Sequence, residues 1–255
     1  EALLLPFSSG QLAWPEAGAL FLGARPGAVL RPWSSRLLCE QGFKPAFDAL
    51  QRDGFDVRAP SDERGALVLV LPPRQRDEAR ALFAQALQRV APGGVVIASL
   101  ANDEGAMAGQ ADLARLMGPV SVLTKHKCRV FWATARDGAV DAALAAEWQA
   151  LDATRPIEQG RFVSRPGVFA WDRMDTASRL LAQALPPTLA GHAADLGAGY
   201  GYLSAELLQR CPGVQALDVF EAQARALALA RINLASFASR ATLGFHWHDE
   251  TAGLP

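Results

Sequence analysis

The sequence contains few cysteines, few lysines and no long apolar run, and each shortage excludes a class of protein. The three cysteines, Cys39, Cys128 and Cys211, are far apart and odd in number, so they form neither a metal-binding motif nor a disulfide framework. We therefore expect no metal site and a reducing, cytoplasmic location. No apolar run approaches the ~20 residues that span a bilayer, and Glu1–Pro6 lacks the basic flank of a signal peptide, so we expect no membrane partner.

The charge balance excludes a uniformly basic surface. The formal net charge is −1, which argues against a protein that coats nucleic acid through bulk electrostatics. Lysine contributes little of the positive charge, since only Lys44, Lys125 and Lys127 are present. Two of them lie close to Arg129 in one short stretch. The composition therefore leaves room for a local basic patch and for little more.

The length of 255 residues favours two domains of ordinary size. Continuous apolar runs predict three strands covered on both faces, at 19–22, 66–71 and 95–100. Between the last two, apolar residues on one face predict a helix over 77–90 that ends at Pro92-Gly93-Gly94. Two further strands are predicted, at 120–124 and 128–134. Strands that alternate with helices predict an α/β fold with a largely parallel sheet.

The second half of the chain repeats this alternation. Residues 138–160 are rich in alanine and polar side chains, and we interpret them as a linker between a first domain, 1–137, and a second domain, 161–255. Strands are predicted at 193–196, 214–220 and 241–245, with helices at 202–210 and 222–234 between them. This order is one β-α-β-α-β half of a doubly wound sheet.

The strongest functional signal is a glycine-rich turn, Asp195-Leu196-Gly197-Ala198-Gly199-Tyr200-Gly201, which follows a predicted strand and opens a helix. Glycines allow a tight turn and a close approach of a ligand to the backbone. Asp195 can meet a cationic amino group, and Glu221, at the end of the next strand, can accept hydrogen bonds from ribose hydroxyls. Alternatively, Asp195 caps the helix and Glu221 is a solvated charge. Together the features favour a nucleoside ligand.

The spacing of the glycines argues against a dinucleotide. A dinucleotide loop has the pattern Gly-x-Gly-x-x-Gly, but the sixth position is Tyr202 counted from Gly197 and Ser204 counted from Gly199. The carboxylate of Asp195 would also repel a pyrophosphate. S-adenosylmethionine is cationic and carries no phosphate, so it is the predicted cofactor.

The most specific segments of the second half are Pro166-Gly167-Val168-Phe169, Asp172, Met174-Asp175, Ser178, Leu180-Leu181, Asp195–Gly201 and Arg231-Ile232-Asn233-Leu234. With these segments the sequence resembles, over almost the whole chain, the bacterial ribosomal RNA guanine-N2 methyltransferases of the small-subunit 16S type or the related large-subunit 23S type. The resemblance implies two tandem Rossmann-like methyltransferase domains, a degenerate first one and an active second one that is truncated in this chain. It also implies a ribosomal RNA or ribosomal subunit as partner.

Cofactor-binding residues follow from the turn and from the resemblance together. Asp195, Gly197, Gly199, Gly201 and Glu221 form the predicted centre of the site. The resemblance places two further residues, Phe169 and Asp175, against the methionine end of the cofactor. It places His248 or, preferably, Asp249 beside the adenine, because a carboxylate accepts a hydrogen bond from the adenine amino group.

The resemblance predicts no catalytic residue within this chain. Members of the family hold the target amine with an Asn-Pro-Pro-Phe motif after the fourth strand, and no such motif occurs before Pro255. The first half has Leu71-Pro72-Pro73-Arg74 at the matching place, and Leu71 has no amide oxygen. We therefore expect the motif beyond residue 255 and no methyl transfer by these 255 residues alone.

The basic stretch and the substrate each leave an alternative open. Lys125, Lys127 and Arg129 are predicted to hold RNA phosphate, although a solvated hairpin tip explains them equally well. The same cofactor site also serves methyltransferases that act on a protein glutamine or a small amine. A non-catalytic RNA-binding or assembly module is a third reading, which suits a degenerate first domain.

Overall fold

A computed structural model of the protein describes residues 1–59, 61–136 and 138–253. The chain folds into two compact units. The first contains Glu1–Gln41 and Ala46–Asp152, and the second contains Gly42–Pro45 and Ala153–Pro255. The predicted division into 1–137, 138–160 and 161–255 stays a prediction, and its end points at Asp137 and Pro255 lie outside the described residues.

The first unit is a seven-stranded sheet with helices on it. Its strands are β1 (Ala19–Leu22), β2 (Leu37–Glu40), β3 (Asp56–Arg58), β4 (Gly65–Val70), β5 (Val90–Ala101), β6 (Ser121–Lys125) and β7 (Cys128–Thr134). Its helices are α1 (Leu5–Ser8), α2 (Lys44–Arg52, whose first two residues are grouped with the second unit), α3 (Arg76–Arg89), α4 (Ala106–Met117) and α5 (Ala142–Ala150). The strand order is β3-β2-β1-β4-β5-β7-β6. Strand β7 is antiparallel to β5 and β6, and the other pairs are parallel.

Apolar residues cover both faces of this sheet, as the continuous apolar runs predict. Phe83 of α3 and Trp148 of α5 are buried in the cluster on one face. Phe21 and Ile97 are buried in the cluster on the other face. Helix α3 begins at a capped position, because the side chain of Gln75 accepts a hydrogen bond from the Glu78 amide. The first unit is therefore an α/β domain of the predicted class.

Three local features of the first unit differ from the sequence-based expectation. Helix α3 ends at Arg89, before the Pro92-Gly93-Gly94 stretch, which lies inside β5 where the pairing with β4 is irregular. Strands β2 and β3 were not predicted from the sequence. The predicted linker contains α5, whose Leu144 and Trp148 are buried in the first unit's core.

The second unit is built on three parallel strands in the order β10-β11-β12. These strands are β10 (Ala190–Leu196), β11 (Gly213–Glu221) and β12 (Thr242–Trp247), and a separate hairpin consists of β8 (Arg155–Ile157) and β9 (Phe162–Ser164). The helices are α6 (Thr176–Ala184), α7 (Tyr202–Arg210) and α8 (Ala224–Asn233). The prediction of a β-α-β-α-β half sheet is confirmed. None of the helices in the described residues is long and apolar enough to cross a membrane.

Candidate functional site

The carboxyl ends of β10, β11 and β12 meet at one edge of the second unit's sheet. The register pairs Leu196 with Phe220 and Phe220 with His246. Ligands of open α/β sheets bind beyond the carboxyl ends of the strands. The predicted cofactor residues in the loops after these strands therefore share one edge.

The glycines of the turn after β10 have two different roles. Gly197, Gly199 and Gly201 all have a left-handed backbone, with φ of 73°, 58° and 89°. A Cβ added at Gly201 would lie 3.3 Å from Ala230 on α8, so this glycine is required for the packing of the loop. A Cβ added at Gly197 or Gly199 would meet no atom within 4 Å. Open space in front of these two glycines leaves room for a ligand.

Glu221, the last residue of β11, is buried and is held by the backbone. One carboxylate oxygen accepts a hydrogen bond of 2.7 Å from the Gly199 amide, and the other accepts one of 2.7 Å from the Gln223 amide. Each oxygen can still accept a further hydrogen bond, because a carboxylate offers about four acceptor positions. Among the described residues, no cationic side chain pairs with Glu221. The carboxylate is therefore oriented and still able to accept from a ligand.

Asp195 lies at the same edge and contacts the first turn of α7. Its carboxylate accepts a hydrogen bond of 2.6 Å from the Ser204 hydroxyl. Burial raises the pKa of Asp195 above its usual value, and hydrogen bonds from the side chain and backbone of Ser204 oppose that rise. No cationic partner is found among the described residues. Asp195 thus contacts α7 through Ser204, whereas the N-cap position of the helix is Gly201 without a side-chain cap, and it remains able to pair with a cation.

These residues fit S-adenosylmethionine by the chemistry of their donors and acceptors. The cofactor carries a cationic amino group, a sulfonium and two ribose hydroxyls. Two carboxylates without a cationic partner among the described residues, Asp195 and Glu221, flank the open backbone at Gly197 and Gly199. A site for a pyrophosphate would instead present cations or unoccupied amides.

Phe169 and Asp175 precede the sheet in the chain, in the segment of the Pro-Gly-Val-Phe motif. Val168 is buried in the unit's core, whereas Phe169 is 71% exposed. Asp175 caps α6, because its carboxylate accepts from the Ser178 amide at 2.8 Å and from the Ser178 hydroxyl at 2.9 Å. These bonds lower the pKa of Asp175. Contact of either residue with the cofactor stays a prediction.

Asp249 follows β12 and also caps a short helix. Its carboxylate accepts from the amide and hydroxyl of Thr251, at 3.1 and 2.6 Å. Its role as an acceptor for adenine stays a prediction. The neighbouring His248 donates its backbone amide to the Glu221 carbonyl at 3.2 Å, which holds the end of β12 against the end of β11.

Two histidines of the second unit contact the same carboxylate. His246 and His192 each place Nε2 against one oxygen of Asp218, at 2.7 and 2.6 Å. The hydrogen bond with His246, followed by the one with His192, lowers the pKa of Asp218. No group of metal-ligating side chains is found in the part of the chain that the structure describes.

Side chains that support the site were not predicted from the sequence. Asn233 donates to the carbonyls of Tyr200 and Val163, at 2.8 and 3.0 Å, and accepts from the Val163 amide at 2.8 Å. Arg225 donates to the Pro166 carbonyl at 2.7 Å. Asn233 and Pro166 both lie in the quoted motifs, but which residues pair becomes visible only in the fold.

The basic stretch of the first unit divides into two parts. Lys125 and Lys127 are exposed at the turn between β6 and β7. The turn residues His126 and Lys127 have positive φ, 53° and 58°. Arg129 lies on β7, partly buried, and donates to the Gln110 side chain at 2.6 Å. The two lysines are therefore more accessible than Arg129, and a role of all three in RNA binding stays a prediction.

Comparison with protein families gives a match over most of the second unit. Residues 159–255 match the methyltransferase small domain. Ribosomal RNA small subunit methyltransferase C of Pseudomonas paraeruginosa is 30% identical over 187 residues, which cover 72% of this chain and 55% of that protein. The protein of the same name from Vibrio vulnificus is 27% identical over 184 residues, covering 71% and 53%. The chain thus spans about half the length of the curated relatives it matches.

A solved structure shares the fold along nearly the whole chain. It is the 16S rRNA N2 G1207 methyltransferase of T. thermophilus, in complex with AdoMet and guanosine. The TM-score is 0.75 at 20% sequence identity, and the match covers 96% of this chain and 69% of that protein. This likeness confirms the Rossmann-like methyltransferase fold.

Proposed function

Because the chain belongs to the ribosomal RNA guanine-N2 methyltransferase family, we propose that its second unit binds S-adenosylmethionine. We further propose that the protein methylates the exocyclic N2 amine of a guanine in 16S ribosomal RNA. The observation that carries the proposal is the pair of carboxylates, Asp195 and Glu221, around a glycine loop with open space before it.

Each predicted residue has a place in the proposed complex. Glu221 accepts hydrogen bonds from the ribose hydroxyls, and Asp195 pairs with the amino group of the methionine part. The open space in front of Gly197 and Gly199 receives the nucleoside. Three remaining contacts follow from the family resemblance, which assigns the adenine to Asp249 and the methionine end to Phe169 and Asp175.

The chemistry needs orientation and exclusion of water more than acid–base catalysis. When bound, S-adenosylmethionine supplies a methyl group activated for displacement by an amine. The contribution of this chain is to fix the orientation of that group and to exclude water around it, which converts a bimolecular reaction into one between held partners. Only two asparagines occur in residues 1–255, Asn102 and Asn233, and neither precedes Pro-Pro. We therefore assign no acceptor for the guanine amine to this chain.

Ribosomal RNA as substrate gives the exposed lysines a role. Lys125 and Lys127 sit at a hairpin turn where two ammonium groups can contact phosphates. Such contacts position RNA without reading its sequence. A substrate of this kind places the protein in the cytoplasm with the ribosomal subunits.

A methyl-transfer assay tests the proposed activity. The full-length protein is incubated with 16S ribosomal RNA and S-adenosylmethionine carrying an isotope label in its methyl group. The RNA is then digested to nucleosides and separated by mass spectrometry. We expect the label in N2-methylguanosine, and its appearance in protein or in another nucleoside would overturn the assigned substrate. The 23S RNA serves as the matched control.

A further inference from the structure

The last residue of β1 and the two residues that follow it are the same as those at the end of β10. Leu22-Gly23-Ala24 stands at the end of β1 as Leu196-Gly197-Ala198 stands at the end of β10, and both glycines have a left-handed backbone, with φ of 64° and 73°. In this alignment Phe21 stands where the second unit has Asp195. Arg25 stands where the second unit has Gly199. The first unit thus loses a carboxylate and gains a guanidinium at the corresponding loop.

The second acidic residue of the constellation is retained in the first unit but is already paired. Glu40 ends β2, which is parallel to β1 as β11 is parallel to β10. Its carboxylate binds Arg89 at 2.5 Å and the Ser61 hydroxyl at 2.8 Å, and both Glu40 and Arg89 are buried. Breaking a buried ion pair of this kind is strongly unfavourable. Glu40 is therefore not available to hold a ribose.

A cavity of about 460 Å³ nevertheless lies at the carboxyl ends of β1, β4 and β5. That is the size of a small-molecule site and the usual place for one in an open α/β sheet. Its apolar wall includes Phe21, Leu30, Leu71 and Leu100. Apolar walls of this kind accommodate the flat or aliphatic body of a ligand.

Two arginines line the same cavity. Arg25 and Arg74 are both exposed, and neither has an ion pair or hydrogen bond among the described residues. Two carboxylates, of Glu1 and Glu104, also line it. A guanidinium matches a phosphate in charge and geometry, and the carboxylates can accept from hydroxyl or amino groups.

We propose that this cavity binds a phosphate-bearing ligand of nucleotide size. Its body lies against the apolar wall, and its phosphate lies between Arg25 and Arg74. In the loop itself an apolar residue, Phe21, replaces the carboxylate of Asp195, and the guanidinium of Arg25 replaces Gly199, so an anionic group is favoured where the second unit favours a cationic one. The nucleotide can come from the free pool or from a strand of RNA, since both present the same phosphate.

The chain carries its own reporter for this cavity. Cys128 lines it and is partly exposed. The other two cysteines, Cys39 and Cys211, are fully buried. Burial also raises the pKa of Cys39 to about 12, so its thiolate is scarce at neutral pH. Alkylation of the native protein therefore reports on Cys128, and a Cys128→Ser variant checks that assignment.

The test measures the alkylation rate of Cys128 by mass spectrometry, with four probes added in turn: guanosine monophosphate, guanosine, inorganic phosphate and a short 5′-phosphorylated single-stranded RNA. A probe at ten times its Kd protects about tenfold if it covers the thiol. We expect protection by guanosine monophosphate, by the RNA or by both, and little by guanosine. Protection by the RNA alone assigns the ligand to an RNA strand.

Variants separate the proposed site from general protection. The Arg25→Ala/Arg74→Ala double variant should lose the protection. The matched control, Arg36→Ala/Arg64→Ala, removes two exposed arginines that do not line the cavity and should keep it. Equal protection by guanosine and guanosine monophosphate would overturn the phosphate assignment. No protection by either phosphate-bearing nucleotide probe, or protection that persists in the double variant, would overturn the site.

Discussion

The backbone amide of Gly199 donates a hydrogen bond of 2.7 Å to the Glu221 carboxylate. This bond joins the glycine loop after β10 to the end of β11. The same carboxylate is held on its other oxygen by Gln223, so the acid proposed to bind ribose and the loop proposed to face the nucleoside orient each other. Pre-organisation of this kind reduces the cost of ordering the site on binding.

The two kinds of glycine in the loop predict different responses to alanine. Gly201→Ala adds backbone strain at φ 89° and places a Cβ 3.3 Å from Ala230. We expect it to lower the free energy of unfolding by about 2–5 kcal/mol, from strain and overpacking together. Gly197→Ala adds strain at φ 73° in open space, so about 1–2 kcal/mol is expected.

Urea unfolding followed by circular dichroism measures both glycine variants against the unsubstituted chain. The two substitutions should affect cofactor affinity in the opposite order. Gly197→Ala should weaken binding more than Gly201→Ala, because a methyl group at Gly197 intrudes where the ligand approaches. Equal destabilisation by the two substitutions would contradict the assignment of Gly201 to packing.

The pKa of Asp195 predicts how cofactor binding responds to acid. Burial raises this pKa above the usual 3.8, and only the ionised carboxylate pairs with the cofactor's amino group. Affinity should therefore fall as the pH is lowered through the raised pKa, at a pH where an ordinary aspartate is still ionised. Calorimetric titrations at a series of pH values, from neutral pH down towards the usual 3.8, would show this decline.

An Asp195→Asn variant serves as the control for the pH series. It should bind more weakly and with little pH dependence over the same range. Without cofactor, the stability of the protein should depend on pH in the opposite direction to the cofactor affinity. A raised pKa of Asp195 means that the folded state binds the proton more tightly than the unfolded state does. The free energy of unfolding should therefore decrease as the pH rises from 3.8 to the raised pKa. If cofactor affinity depended on pH in the same way in both proteins, Asp195 would not be a cofactor-binding residue.

The hydrogen bonds of Ser204 to Asp195 predict how substitution of Ser204 shifts the pH dependence of cofactor affinity. Its hydrogen bonds lower the pKa of Asp195 against the effect of burial. Ser204→Ala removes the hydroxyl donor, so the pKa should rise further and the affinity should decline at a higher pH than in the unsubstituted chain. A Ser236→Ala variant, outside the site, should leave the midpoint unchanged. A shift of the midpoint to lower pH would be inconsistent with this arrangement.

The exposed lysines predict the salt dependence of RNA binding. Replacing Lys125 and Lys127 with Ala removes two phosphate contacts, so the slope of log K against log salt should become shallower by about 1.4–1.8. Arg129→Ala should change the slope less, because Gln110 holds its side chain. Filter binding or fluorescence anisotropy at several salt concentrations measures the slopes. An unchanged slope in the double lysine variant would show that the two lysines are solvated and do not contact RNA phosphate.

The sequence predicts the site's framework well because strong local signals specify it. Helix α7 begins at Tyr202, directly after the last glycine of the loop, as predicted. The capping roles of Asp175 and Asp249 were not predicted, because an acidic residue near a helix start reads equally as a cap and as a ligand contact. Helix α5, in the predicted linker, was missed for a different reason. Leu144 and Trp148 are its only buried residues, and two apolar positions are too few to indicate periodicity.

Calorimetric titration with S-adenosylmethionine tests the central claim most directly, using the unsubstituted chain, Glu221→Ala and Glu16→Ala side by side. Glu16 is an exposed acid in the first unit and serves as the charge-matched control. Glu221→Ala removes the acceptor of two charge-assisted hydrogen bonds, each about 1.5–3 kcal/mol at most, so its Kd should rise at least about tenfold. The Glu16→Ala protein should bind like the unsubstituted chain. An unchanged Kd in the Glu221→Ala protein would contradict the claim that the loop after β10 and the end of β11 form the cofactor site.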